Sequence, residues 1–202
     1  MTDATVPEGP ALIAMLNDLL ALDHDAVQAY SIAIGRISRP EYREVLAGFR
    51  GDHQRHIDQL TQLIRDRGGV PVQLPHLPTG VFKLAMQALA TLGDDRAVLM
   101  AFKTNEGQVR DRYRRAADQP HEPAAGAVIS TAALDEERHY AWAEQVLARM
   151  GVHEGTLLGG AQAAAEKVQG RVIDAVEDAG RRVAEAVERI RPGGAKEPPT
   201  GA

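Results

Sequence analysis

The sequence contains no cysteine, and that absence excludes disulfides, zinc–thiolate sites, iron–sulfur clusters and cysteine nucleophiles. Aromatic residues are scarce, at 4% of 202 positions, while Ala, Leu, Val, Glu and Arg dominate. β-Sandwiches and barrels draw on β-branched and aromatic side chains, so this composition points to helices instead. No uncharged apolar run in the sequence reaches the ~18–20 residues that a membrane span requires. The opening residues MTDATVPEGP lack the basic-then-apolar order of a secretory signal. An excess of cations is missing too: 23 Lys and Arg stand against 28 Asp and Glu, a formal charge of −5. Such a chain offers nucleic acid no polycationic surface. The expectation is a cytoplasmic protein with neither a membrane span nor a nucleic-acid partner. With 44% hydrophobic residues, the chain is long enough for one domain with a substantial core.

Proline and glycine punctuate the rest. Residues 1–9 read as a flexible N-terminus, and helical periodicity begins after Pro10 and stops near Ser38-Arg39-Pro40, because proline opens a helix but does not continue one. A second run from Glu41 ends at Gly68-Gly69, before the proline-rich stretch Val70–Gly80 and a short helix predicted over Val81–Leu92. Gly93-Asp94-Asp95 supplies a break and an N-cap for a helix from about Arg96 to Ala117. After the turn at Gln119–Pro123 a fourth long helix runs to Met150, and Gly151 stops it. These signals predict an all-α protein, an antiparallel four-helix bundle over residues 10–152. A linker and an additional C-terminal amphipathic helix follow over 153–191, then a disordered tail over 192–202.

Inward positions in a bundle recur at alternating steps of three and four. The first helix follows this rule through Leu12, Leu16, Leu19, Asp23, Val27, Tyr30, Ile34 and Ile37, and the second through Leu46, Phe49, His53, His56, Leu60 and Leu63. The third gives Leu99, Phe102, Glu106, Val109, Tyr113 and Ala116, and the fourth Ile129, Ala132, Glu136, His139, Ala143, Val146 and Met150. Each apolar stripe is interrupted near its middle by one or two ionisable residues. Antiparallel helices of similar length bring their midpoints to one height, so the interruptions are expected to meet in a single polar layer. A desolvated carboxylate costs several kcal/mol unless it is paired, protonated or given a metal. Carboxylate oxygen and neutral imidazole nitrogen are ligands that hold iron or manganese in bundle cores. His53/His56 and Glu136/His139 stand three apart on one helix face, so each pair can address one centre.

The chain also repeats itself loosely. Asp23-x-x-Ala26-x-x-x-Tyr30 has the layout of Glu106-x-x-Val109-x-x-x-Tyr113, and His53-Gln54-Arg55-His56 that of Glu136-Glu137-Arg138-His139. One acid plus one two-ligand motif per helical hairpin resembles the ferritin-like superfamily, in its rubrerythrin-type and related bacterial four-helix branches. Its pattern is a carboxylate on helices one and three and Glu-x-x-His on helices two and four. The resemblance covers about residues 10–150. It implies a non-haem iron centre, mono- or dinuclear, or manganese, that oxidises the metal or a small substrate with oxygen or peroxide. The ligands it implies are Asp23, His56, Glu106, Glu136 and His139, with His53 as a sixth.

Two departures stand out. Asp23 replaces the usual glutamate and is one methylene shorter, and His53 takes the place of the first motif's glutamate, where an imidazole is a poor bridge between two ions. His53 is therefore either a ligand or a residue hydrogen-bonded to a carboxylate. Asp52, about 100° round the helix from His53, is not expected to take part. Tyr30 and Tyr113 read as core aromatics with hydroxyls bonded to the polar layer, and Trp142 as packing. Gly51 and Gly107, mid-helix beside the ligand positions, suggest close helix approach or a local π-bulge.

The segment Ala161–Arg191 repeats small apolar residues and carries six acidic and six basic side chains. A neutral stripe of this kind fits docking or self-association better than insertion among anionic lipids, so a homodimer or a partner protein held through this helix is expected. The alternative from another class is a non-catalytic helical scaffold or stress-associated interaction protein whose metal site has degenerated.

Overall fold

The structure is a computed structural model that describes residues 9–73 and 94–152. Four helices make up these residues: α1 (Pro10–Arg36), α2 (Pro40–Asp66), α3 (Asp95–Ala117) and α4 (Pro123–Arg149). The helix expected over Val81–Leu92, the N-terminal residues 1–8, the C-terminal helix and the tail lie outside the described residues. The all-α bundle is as the periodicity predicts.

The ends are set by local chemistry. Proline occupies the first helical position of α1, α2 and α4, where its missing N–H is no loss. Asp94 caps α3 by accepting from the Arg96 backbone N–H at 3.0 Å. Arg39, at the N-cap of α2, makes no side-chain capping bond. A carboxylate from α3 caps that end instead: Asp95 accepts from the Ser38 backbone N–H at 2.7 Å, the Ser38 hydroxyl at 2.9 Å and the Arg39 backbone N–H at 3.3 Å. Helix α4 closes at Gly151, with φ 80°, and the Val152 N–H returns to the Leu147 carbonyl at 2.9 Å. This left-handed turn is one that glycine makes without strain.

Helices α1 and α2 form one hairpin and α3 and α4 the other. Across the bundle, α1 lies beside α3 and α2 beside α4. The core shows the directions. One apolar cluster joins Tyr30, Ala33 and Ile37 late in α1 to Leu46 and Phe49 early in α2, Leu99 and Phe102 early in α3, and Val146 and Leu147 late in α4. The second joins Leu12, Leu16 and Leu20 to Leu60 and Ile64, Val109 and Tyr113, and Ala125 and Ile129. Neighbouring helices are therefore antiparallel throughout, and the diagonal pair α2 and α3 run parallel. Of the stripe positions expected to face inward, Val27, Ile34 and Met150 are half-buried and the rest are buried. Between the two apolar clusters lies a polar layer.

Candidate metal centre

The six interrupting residues meet. Asp23 of α1, His53 and His56 of α2, Glu106 of α3, and Glu136 and His139 of α4 are each 0% exposed. Every helix contributes at its midpoint, as similar lengths and antiparallel packing require. Among the described residues, two groups of four could each hold a metal ion: Asp23, His53, His56 and Glu136; and His53, Glu106, Glu136 and His139. Within each group the donor atoms all lie within 4.8 Å of one another. His53 and Glu136 belong to both.

Glu136 sits between the halves. Its Oε1 lies 3.6 Å from Nδ1 of His53 and 3.6 Å from Nδ1 of His56, while its Oε2 lies 3.7 Å from Nδ1 of His139. Nδ1 of His56 is also 3.5 Å from Asp23 Oδ1, and Nδ1 of His139 is 3.6 Å from Glu106 Oε2. These separations are longer than hydrogen bonds. They match the spacing of two donors that sit ~2.1 Å from a shared ion. Accordingly, both oxygens of Glu106, both oxygens of Glu136, Nδ1 of His56 and His139, and Nε2 of His53 are buried without a hydrogen-bond partner. Buried polar atoms are nearly always satisfied, and here seven unsatisfied ones share one layer. A cation would supply what they lack, and the all-N/O donor set would suit a first-row divalent ion.

Asp52, which helical phase had set aside, and Asp135, which the stripes passed over, complete the layer. His56 donates from Nε2 to Asp135 Oδ2 at 3.1 Å, and His139 donates from Nε2 to Asp52 Oδ2 at 3.1 Å. A carboxylate only accepts, so each imidazole holds a proton on Nε2 and turns its Nδ1 inward. The expectation that Asp52 takes no part is corrected. The flanks of α2 and α4 press together, so a residue 100° from the stripe of one helix reaches the histidine of the other. Arg55 donates to Asp52 at 2.7 Å and to Asp135 at 2.6 Å. Arg138 contacts Asp52 at 2.6 Å and Asp135 at 2.8 Å. The repeat thus extends by one residue: Asp52-His53-Gln54-Arg55-His56 matches Asp135-Glu136-Glu137-Arg138-His139. That Asp-x-x-Arg-His pattern was the sequence signal for the pair.

The tyrosines divide. Tyr113 donates to Asp23 Oδ2 at 2.5 Å, but the buried Tyr30 hydroxyl makes no hydrogen bond, contrary to the expectation for it. Burial, reinforced by Glu106 and Glu136, pushes the Tyr30 hydroxyl well above its usual range. Burial likewise raises Tyr113, with Asp23 adding to it. Both stay protonated. Trp142 packs edge-on against Phe49 and Tyr42, as expected. Gly107 does permit close approach, since a Cβ there would meet the Tyr140 ring at 3.3 Å, whereas Gly51 faces open space. Both lie in unbroken α-helix.

Without a metal, the layer is a network of opposed charges. Burial favours neutral imidazole, but Glu136, Asp23 and Glu106 outweigh it at His53 and raise its pKa to about 9. The same competition at His139 is won by Glu106 and Glu136, giving about 10. Burial would raise Asp23, yet His53 and His56 hold it below the carboxylate range. For Glu136 burial wins and its carboxyl is raised. Burial opposes ionisation of Asp52 and Asp135 too, and their histidine and arginine partners hold both low.

A family model described as a domain of unknown function, DUF2383, matches residues 11–119. The chain belongs to this family. The DUF2383 match spans α1 to α3 and so includes Asp23, His53, His56 and Glu106, while Glu136 and His139 lie beyond it on α4. None of the curated proteins matches the chain. Among solved structures, the chain is similar to a two-domain protein from Anabaena variabilis that contains DJ-1/ThiJ/PfpI-like and ferritin-like domains. The TM-score is 0.57 at 15% identity, over 72% of this chain and 41% of that one. The chain therefore spans less than half of that protein's length, and at this identity the likeness is one of fold. The fold of this DUF2383 protein is ferritin-like, and no helix among the described residues is long and apolar enough to cross a membrane.

Proposed function

We propose that this DUF2383 protein binds redox-active divalent metal, iron foremost with manganese as its competitor, in a dinuclear centre at the middle of the bundle. The observation that carries this reading is Glu136. Its two buried oxygens lack hydrogen-bond partners, and they face different donor groups, Oε1 toward His56 and Oε2 toward His139. A carboxylate left so in an ion-free core would be costly, and bound cations would supply what its two oxygens lack.

In this reading Asp23, His56 and Glu136 would hold one ion, and His53, Glu106, Glu136 and His139 the other. Asp52 and Asp135 keep the proton of His139 and His56 on the outward nitrogen, which leaves the inward one free to donate. Arg55 and Arg138 neutralise those two aspartates. Tyr113 fixes Asp23. When bound, iron supplies one-electron chemistry toward oxygen or peroxide. The six side chains have no solvent exposure, so they exclude bulk water and suit small inorganic reactants over large organic ones.

The test is anaerobic addition of Fe(II) to the full chain, followed by air. The wild type should bind about two ions per chain and develop near-ultraviolet absorbance on oxidation. Glu136→Ala should show neither. The same spectrum and metal content in both proteins would remove the assignment.

A further inference from the structure

We propose that the two halves of this centre bind metal unequally: the ion at His53, Glu106, Glu136 and His139 enters first, and the ion at Asp23, His56 and Glu136 enters second and at least tenfold more weakly. This rests on the metal-binding reading and adds an order to it. The pseudo-twofold repeat of the two hairpins is broken at one position, where His53 in α2 answers to Glu136 in α4.

The consequence is geometric. A carboxylate can give one oxygen to each ion, whereas a neutral imidazole has a single lone pair to give. Nδ1 of His53 lies 2.8 Å from Asp23 Oδ1. Since the carboxylate accepts, that nitrogen holds the proton. Nε2, buried and without a partner, is the donor left over. His53 belongs with Glu106, Glu136 and His139 to one group whose donor atoms lie within 4.8 Å of one another, and with Nε2 given there the set would be two imidazoles and two carboxylates. The other half keeps three residues.

The acids differ in the same sense. Asp23 has both oxygens engaged, Oδ1 by His53 at 2.8 Å and Oδ2 by Tyr113 at 2.5 Å. Both oxygens of Glu106 are free, and the nearby Tyr30 hydroxyl makes no bond to either. Lone pairs already accepting hydrogen bonds are weaker donors to a cation. Charge completes the ranking. Three carboxylates face the layer, so the first divalent ion cancels most of their charge. The second must enter beside it, through the Glu136 they share.

Cobalt(II) tests this by its visible spectrum, without any turnover. Anaerobic titration of the full wild-type chain should show two binding steps whose dissociation constants differ at least tenfold. Glu106→Gln should abolish the tighter step and Asp23→Asn only the weaker, while His53→Glu should bring the two within about threefold. The wild-type titration decides the inequality even if a variant fails to fold. Two ions of indistinguishable affinity would overturn the inference and leave the metal-binding reading standing, as would loss of the tighter step in Asp23→Asn. A single ion kept by Asp23→Asn and lost by Glu106→Gln would be the same ranking at its limit. Absence of any bound cobalt would overturn both.

Discussion

Replacing Glu136 by glutamine probes the centre with the least disturbance of shape. The side chain keeps its volume and one acceptor oxygen but loses its charge and the second oxygen, and it touches both donor groups. An ion that binds only the folded chain stabilises it by about 2.7 kcal/mol at a hundred times its dissociation constant. Two ions at or above that level contribute about 5 kcal/mol or more. For a chain of this size each kcal/mol moves the melting temperature by roughly 2–4 °C. Wild-type protein should therefore melt on the order of 10–20 °C higher with Mn(II) or anaerobic Fe(II) than with a chelator. Glu136→Gln should gain less than about 3 °C under the same conditions. Scanning calorimetry with and without metal gives the difference directly, and each protein serves as its own control for the mutation's effect on the ion-free fold. A glutamine variant stabilised as strongly as wild type would refute the reasoning, because the bridging carboxylate would then be dispensable.

Further outcomes follow from the same geometry. His53 and His139, raised from 6.5 to about 9 and about 10 in the ion-free chain, give stability that is complete below pH 6.5 and lost as pH rises through 9 to 10. Metal must displace those protons, so its affinity should climb over that window, and loading in weak buffer at neutral pH should release roughly two protons per chain. Affinity that falls with rising pH would contradict this. Asp52→Asn and Asp135→Asn should each weaken metal binding by roughly 10–100-fold without unfolding the chain, as read by competition with a chelator; unchanged affinity would make the two aspartates mere surface pairs. Gly51→Ala, exposed and with nothing within 4 Å of the added Cβ, should raise stability by about 0.5–1 kcal/mol in chemical denaturation, and a loss would mean that α2 needs its glycine.

Much of the layer was legible in the stripes. Leu46, Phe49, Leu60 and Leu63 fix the inward face of α2, and a charged residue on that face has nowhere else to go. Asp23, His53, His56, Glu106, Glu136 and His139 were therefore placed by periodicity alone. Asp52 and Asp135 were hidden because a single-helix phase assigns flanking positions to solvent, whereas two helices in contact share their flanks. The second copy of Asp-x-x-Arg-His carried that information. Asp95 was hidden for a related reason. At the sequence level it is one of two acids starting a helix, and its task, capping α2 from α3, depends on antiparallel neighbours that no local pattern reveals. The missing hydrogen bond of Tyr30 was equally out of reach, since it turns on the orientation of Glu106 within the layer.

Crystals of the metal-loaded protein, with anomalous diffraction recorded on both sides of the iron absorption edge, put the central claim to its most direct test. The account predicts anomalous density beside the Glu136 carboxylate, within coordination distance of His139 and Glu106 at one oxygen and of His56 and Asp23 at the other. Iron found only on the protein surface, with the middle of the bundle holding water alone, would contradict it.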